Sequence, residues 1–321
     1  MFENLKRIEL ASKFDYVKIN EDKIKNFVES FDSECLKIPK WDEMVFFKEN
    51  TKQDIDFLFL INTINFSYWT DTDTPKWSYD FAGKTYSGSY GLFACLKRAI
   101  LEGYPLFNAN YLEQISKSDL RHILNSETIE IPLLNDRLQI LREVGRKLNE
   151  LNCSFSDILL KSNNSAVELI NLLAENFPSF RDVNFYKGEQ FNFYKRAQLI
   201  CAMLYGRYEG KGFGEFNDID ELTIFADYRV PQMLRNLDMV TYSDELSKKI
   251  EDKVYFAEEN PEVIEIRASA ILTAEILKNL INEKLGSDIV NSLHLDFFLW
   301  KKSKTTEQKY FKFHKTRSIC Y

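Results

Sequence analysis

Apolar positions recur at spacings of three and four along most of the chain, the period of a helix with one buried face. In residues 3–37, Ile8, Leu10, Ile19, Ile24, Phe27, Val28 and Phe31 predict one or two amphipathic helices, closed by Pro39. Residues 54–69 are apolar over a helical length and run into a Thr-Asp-Thr-Asp-Thr-Pro loop at 70–75. Residues 79–86 alternate about Gly83, which predicts a short β-hairpin. Helices are expected at 91–101, 111–116, 118–125, 132–151, 154–161 and 165–176, the last opened by a Ser165 cap and broken at Phe177-Pro178. Residues 180–193 read as loop, and about 191–208 as helix. Asp218 is expected to cap a helix reaching Ala226 or beyond. A turn follows at 227–231, where Pro231 restricts Val230, and then a second helix through Leu237. The stretch 242–246 opens another helix, and long helices are expected at 262–285 and 289–300.

The fold class is therefore mainly α, with a small β-hairpin. No break in composition splits the chain, and no repeat is visible. One unit over 1–321 is expected, which could be built of two helical lobes. The 11 Gly and 7 Pro are few for a protein of many tight turns and suit long helices. A hydrophobic share of 45% against 28% charged residues excludes a mainly disordered chain.

Charge narrows the partner. Acidic residues exceed basic ones by 49 to 42, for a net charge of −7, whereas phosphate neutralisation along a polynucleotide needs a basic face. A small ligand is favoured over DNA or tRNA. The five cysteines, Cys35, Cys95, Cys153, Cys201 and Cys320, are odd in number and have no Cys-x-x-Cys spacing. With no apolar signal segment at the N-terminus, a reducing, cytoplasmic location is expected. No run approaches a membrane span. His122, His294 and His314 stand far apart without ligand-spaced neighbours, so no metal is expected.

The densest chemistry lies in residues 218–232, where Asp227 sits between Phe225-Ala226 and Tyr228. A carboxylate there can be a helix cap or a surface partner of Arg229. It can equally be a poised acid, base or charge stabiliser, since desolvation and a nearby cation tune such a group. Upstream, Lys195 and Arg196 are adjacent cations on an otherwise apolar helix. They can be solvated, or can contact a phosphate or the carboxylate. Gly206, Gly210, Gly212 and Gly214 could form an anion-binding loop. The ending of a phosphate-binding P-loop is missing, and a plain connector between helices is the better reading.

Phe225-Ala226-Asp227-Tyr228-Arg229-Val230-Pro231-Gln232 resembles the signature of the queuosine salvage proteins, the queuosine 5′-phosphate N-glycosylases/hydrolases. Asn65-Phe66-Ser67-Tyr68-Trp69, Lys195-Arg196-Ala197-Gln198 and Glu209-Gly210-Lys211-Gly212 resemble further segments of that family. So do Leu295-Asp296-Phe297-Phe298-Leu299-Trp300 and His314-Lys315-Thr316-Arg317 near the end. The matches run in the family's order over about residues 15–321 and are specific only together. Lys301 and Met203 stand where the family often has Asp, so contacts made by those positions do not carry over.

The resemblance implies a helical fold related to helix-hairpin-helix DNA glycosylases. It implies hydrolysis of queuosine 5′-monophosphate to queuine, for salvage into tRNA modification, and ribose 5-phosphate. No cofactor, direct nucleic-acid contact or membrane is implied. The chemistry suits two carboxylates with different duties. Cleaving an N-glycosidic bond builds positive charge on the sugar, which a fixed carboxylate can stabilise. The departing flat base can be stacked on aromatics and read by a second carboxylate. Asp227 is expected to be catalytic and Asp296 to read the base or assist. Asp218 and Asp220 stand in reserve. Phe225, Tyr228, Phe297 and Trp69 are expected to stack, and Lys195, Arg196, His314 and Arg317 to meet the 5′-phosphate. Two other classes compete. A base-excision DNA glycosylase is disfavoured by the net charge. A non-enzymatic helical binding protein requires Asp227 to be exposed and unpartnered.

Overall fold

The computed structural model describes residues 2–41, 43–72, 76–126, 129–305 and 311–321. The end of the loop expected at 70–75 lies outside them. Helices dominate, and the strands are short antiparallel or parallel pairs. Contacts divide the chain into two units. No helix among the described residues is long and apolar enough to cross a membrane.

The first unit comprises Met1–Pro39, Asp182–Gln198 and Asp218–Ser318. Its axis is the helix Pro261–Leu285, started by Pro261 and ended by Gly286, whose φ of +66° suits a residue without Cβ. This helix is buried on all sides over most of its length, as its lack of a polar face requires. Glu262 to Leu277 include Glu265 and Arg267, both buried. Glu265 accepts the backbone N–H groups of Asp15, Tyr16 and Val17 and the hydroxyl of Tyr186, so its charge is met by four donors. The segment it grips leads into the strand Val17–Ile19, antiparallel to Val240–Tyr242. The helix Glu21–Ser30, capped by Asn20, packs on the axis.

Three expectations change in this unit. Residues 3–37 give only one regular helix of length, because the strand interrupts the apolar period. Residues 183–192 form a hairpin, Val183–Tyr186 with Glu189–Asn192, rather than a loop. Its turn is Lys187-Gly188, both at positive φ, a two-residue solution that matches strand twist but lacks the usual Asn-Gly signal. The third change concerns the stretch around Asp227. Ile219–Glu221 make a single 3-10 turn, residues 222–226 belong to no regular element and end in a tight turn where the Asp227 N–H donates to the Phe225 carbonyl, and the helix is Arg229–Asn236. Pro231 sits in its first turn, where a missing N–H costs no hydrogen bond.

The second unit comprises Lys40–Arg181, Leu199–Asn217 and Ile319–Tyr321. The helix Lys52–Thr63 is buried from Asp54 to Thr63 except at the half-buried Asp56. The expected hairpin forms as Ser78–Phe81 with Lys84–Ser87. Gly145 on the helix Leu134–Leu151 permits close approach of Ala109–Gln114, since a Cβ there would stand 2.2 Å from the backbone nitrogen of Glu113. Arg137 is fully buried and donates to the carbonyls of Ile64, Phe66 and Ser67. Its guanidinium lies 4.3 Å from the Phe66 ring and 5.2 Å from that of Tyr68. That one cation gathers three carbonyls and two rings of residues 64–68.

Candidate active site

A buried backbone that belongs to neither helix nor sheet must find other partners for its polar groups. Along 222–226 side chains supply them. Gln198 Oε1 accepts the N–H of Thr223 at 2.8 Å, while Gln198 Nε2 donates to the Phe193 carbonyl at 2.7 Å and to Thr223 Oγ1 at 3.0 Å. Asp296 Oδ1 accepts the N–H of Phe225 at 2.8 Å. Arg267 Nε donates to the carbonyl of Ala226 at 2.9 Å. Local propensity for a helix at 218–226 is overridden by these three anchors.

Asp227 is half-buried at the end of this segment. Its Oδ1 accepts the N–H groups of Arg229 at 2.6 Å and Val230 at 3.0 Å, so it caps the helix Arg229–Asn236. Its Oδ2 accepts no hydrogen bond from the described residues. The capping reading is therefore correct for one oxygen and leaves the other for chemistry.

Two more ionisable groups bear on it. Asp296, on the helix Ser292–Thr305, is buried. Burial raises its pKa well above the usual carboxylate range; the Asp227 charge adds to this, while the Phe225 N–H and Lys195 oppose it. Lys195, the first residue of Lys195–Arg207, is buried too. Burial lowers its pKa, Arg196 and Arg267 act in the same direction, and Asp227 and Asp296 work against them. The Lys195 amine and the two carboxyl groups thus feel one another where Lys195 and Asp296 have lost their solvent, and charge there acts with little screening.

Around these groups the aromatics divide in two. Phe225 and Phe297 meet edge to face at 6.0 Å and are buried. Tyr228 is half-buried against Phe313 at 4.8 Å, and Arg229 lies over both rings, donating to Gln232 Oε1 at 3.1 Å. Trp69 is half-buried in the second unit. The expected phosphate-binding cations also divide. Arg196 and His314 are buried, and Arg317 is exposed over the Tyr255 ring. Burial first, then the charge of Arg267, pushes the His314 pKa down to about 3, so this imidazole is neutral at pH 7 and brings no positive charge to a phosphate. Of the reserves, Asp220 is exposed and accepts a bond from Asn291, and Asp218 is half-buried.

The glycine-rich stretch answers to packing. A Cβ on Gly214 would stand 2.5 Å from the carbonyl oxygen of Leu204, and Gly210 has a φ of +71°. Met203 is buried, with Asn62 Nδ2 at 3.1 Å from its sulfur, and Lys301 is exposed. No cluster of three or more His, Cys, Asp or Glu suited to a metal occurs among the described residues. Sequence reasoning passed over Asp182, Arg267 and Phe313, and considered Arg229 only as a partner of the Asp227 carboxylate. A Glu and an Arg inside the apolar run 263–274 were the available signal for Arg267.

Comparison with known proteins bears on what this site does. Residues 45–321 match the family model described as queuosine salvage protein. A protein of Sphaerobacter thermophilus is 35% identical over 306 residues, covering 95% of this chain and 93% of its own. One of Bos taurus is 39% identical over 277 residues, covering 83% and 81%. One of Nematostella vectensis is 37% identical over 290 residues, covering 85% and 84%. All three are named queuosine 5′-phosphate N-glycosylase/hydrolase.

Proposed function

The chain belongs to the queuosine salvage protein family, and from that premise we propose that it hydrolyses the N-glycosidic bond of queuosine 5′-monophosphate. Water adds to the anomeric carbon, the bond to the base breaks, and queuine and ribose 5-phosphate leave. The observation that carries this reading is the divided carboxylate of Asp227, with one oxygen fixed by two backbone N–H groups and the other accepting no bond from the described residues. A carboxylate held so needs little reorganisation as charge develops on the sugar.

In this reading Asp227 stabilises the oxocarbenium-like sugar and takes the proton of the attacking water. Asp296 keeps its proton more readily than an ordinary carboxyl group and so can donate as well as accept at the base edge. Lys195 balances the two carboxyl groups. Tyr228 supports the flat base, and the buried pair Phe225–Phe297 is assigned to stacking as well. Arg196 and Arg317 carry the proposal for the 5′-phosphate. His314 is left with neutral N–H donation.

The mainly helical architecture is compatible with a helix-hairpin-helix, DNA-glycosylase-like fold, which we assign on the family resemblance. A cytoplasmic enzyme acting on a free nucleotide, without direct nucleic-acid contact, fits the acidic balance of 49 to 42. A helical scaffold without chemistry would leave Asp227 exposed and unpartnered, whereas it is half-buried and doubly hydrogen-bonded.

A queuine-release assay tests the reading, with queuosine 5′-monophosphate as substrate and GMP and damaged-base DNA as controls. Asp227→Asn keeps a capping oxygen and removes the charge, so release should fall by at least about 100-fold with the protein still folded. Release that survives the variant would move the catalytic role to Asp296 or Asp218. Wild-type protein that frees no base from any of these substrates would sink the enzymatic reading.

A further inference from the structure

We propose that the buried ion pair Arg267–Asp182 is a positioning device, which holds the segment carrying Asp227 in register with the helix start carrying Lys195. The proposal rests on the reading above, in which those two groups serve the chemistry.

Arg267 is 2% exposed and Asp182 3%. The pair is bidentate, with Nη1 to Oδ1 at 2.8 Å and Nη2 to Oδ2 at 2.6 Å. The third arm of the fork, Nε, donates to the carbonyl of Ala226, the residue before Asp227. On the other side Asp182 Oδ2 accepts the N–H of Lys195 at 3.2 Å, and the Asp182 carbonyl accepts the N–H groups of Phe193 and Tyr194. The guanidinium also lies 3.9 Å from the Phe193 ring centroid, which fixes its plane. One rigid fork therefore ties together two chain segments that are 31 residues apart, from Lys195 to Ala226, through Asp182 on one side and directly on the other.

Stability alone does not ask for such a pair. Two charges taken wholly out of water are often matched or bettered by apolar side chains of like volume. What apolar residues cannot do is set angles. A guanidinium presents several donors in a fixed plane and an ammonium does not, so Arg267→Lys keeps the charge and loses the register. Misplacement of reacting groups by about 1 Å can cost about 100-fold in rate.

The test compares wild type, Arg267→Lys and Asp182→Asn by steady-state release of queuine and by amide hydrogen exchange. Asp182→Asn keeps volume and one acceptor, and serves if Arg267→Lys does not fold. We expect kcat per folded molecule to fall at least about 10-fold with KM within about two-fold of wild type. Exchange at the amides of Lys195, Asp227, Arg229 and Val230 should quicken about 10-fold or more, while the helix Glu21–Ser30 keeps its protection. Wild-type kcat in the folded variants, or a loss of protection spread evenly over the unit, would overturn the proposal. Should wild type itself release no queuine, the activity reading fails, and the exchange pattern alone decides whether the pair holds these segments.

Discussion

Phe225 donates its backbone N–H to Asp296 Oδ1 at 2.8 Å, and this bond joins the irregular segment before Asp227 to the helix Ser292–Thr305. The acceptor is a carboxyl group that burial makes reluctant to ionise. The fold thus uses as a latch a carboxyl group that is harder to ionise than a free one.

Asp296→Asn separates these two roles. The amide oxygen can still accept the Phe225 N–H, and the cost of burying a group that ionises freely when unfolded disappears. A carboxyl group whose folded pKa lies above its unfolded value near 3.8 lends most stability below that value and loses it as pH rises through the folded pKa. Thermal melts should therefore show the variant more stable than wild type at pH 7, by a few degrees, with the gap closing below about pH 4. Queuine release should fall about 100-fold or more. A variant less stable at pH 7 would mean that Asp296 is held ionised by Lys195.

Gln198→Ala should cost more than its size suggests. The variant leaves the buried N–H of Thr223 and the carbonyl of Phe193 without their partner, at about 1–3 kcal/mol for an unmet buried group. Urea unfolding should report a loss in that range. Release should drop too, because Thr223 anchors the segment that ends at Asp227. A full loss of stability with unchanged kcat would separate the anchor from the site.

His314 gives the protein an acid-labile element of opposite sign. Its folded pKa is pushed down to about 3 against an ordinary 6.5, so its contribution is fully present above pH 6.5 and is lost as pH falls toward 3. One proton taken up on unfolding corresponds to a slope of at most about 1.4 kcal/mol per pH unit. Denaturant unfolding of wild type from pH 7 to pH 4 should show this slope added to those of other groups. His314→Gln should flatten it by close to one proton, and an unchanged slope would show that His314 is not buried neutral.

The sequence made some parts of this molecule plain. The long helix Pro261–Leu285 was legible because a proline, an apolar run and Gly286 mark its start, body and end. Ser165 marked the helix Ala166–Asn176 in the same way. Asp227 stood out by its aromatic neighbours, and its capping role was one of the two readings open from the start. The irregular run 222–226 was not legible, since its hydrogen-bond partners Gln198, Arg267 and Asp296 are 25 to 71 residues away. Nor was the hairpin at 183–192, whose Phe185 is 71% exposed and breaks the expected match of apolar side chain with buried face.

By itself the sequence determined the helical class, the family and the setting of Asp227 between its aromatic neighbours in the chain, because periodicity, caps and motifs are local and survive in one dimension. Only the tertiary structure decided how each charged group behaves. Whether a carboxyl group is ionised, a histidine neutral or an arginine a clamp depends on the solvent it has lost and the groups it has gained. Asp296, His314 and Arg267 acquire both from segments remote in the chain.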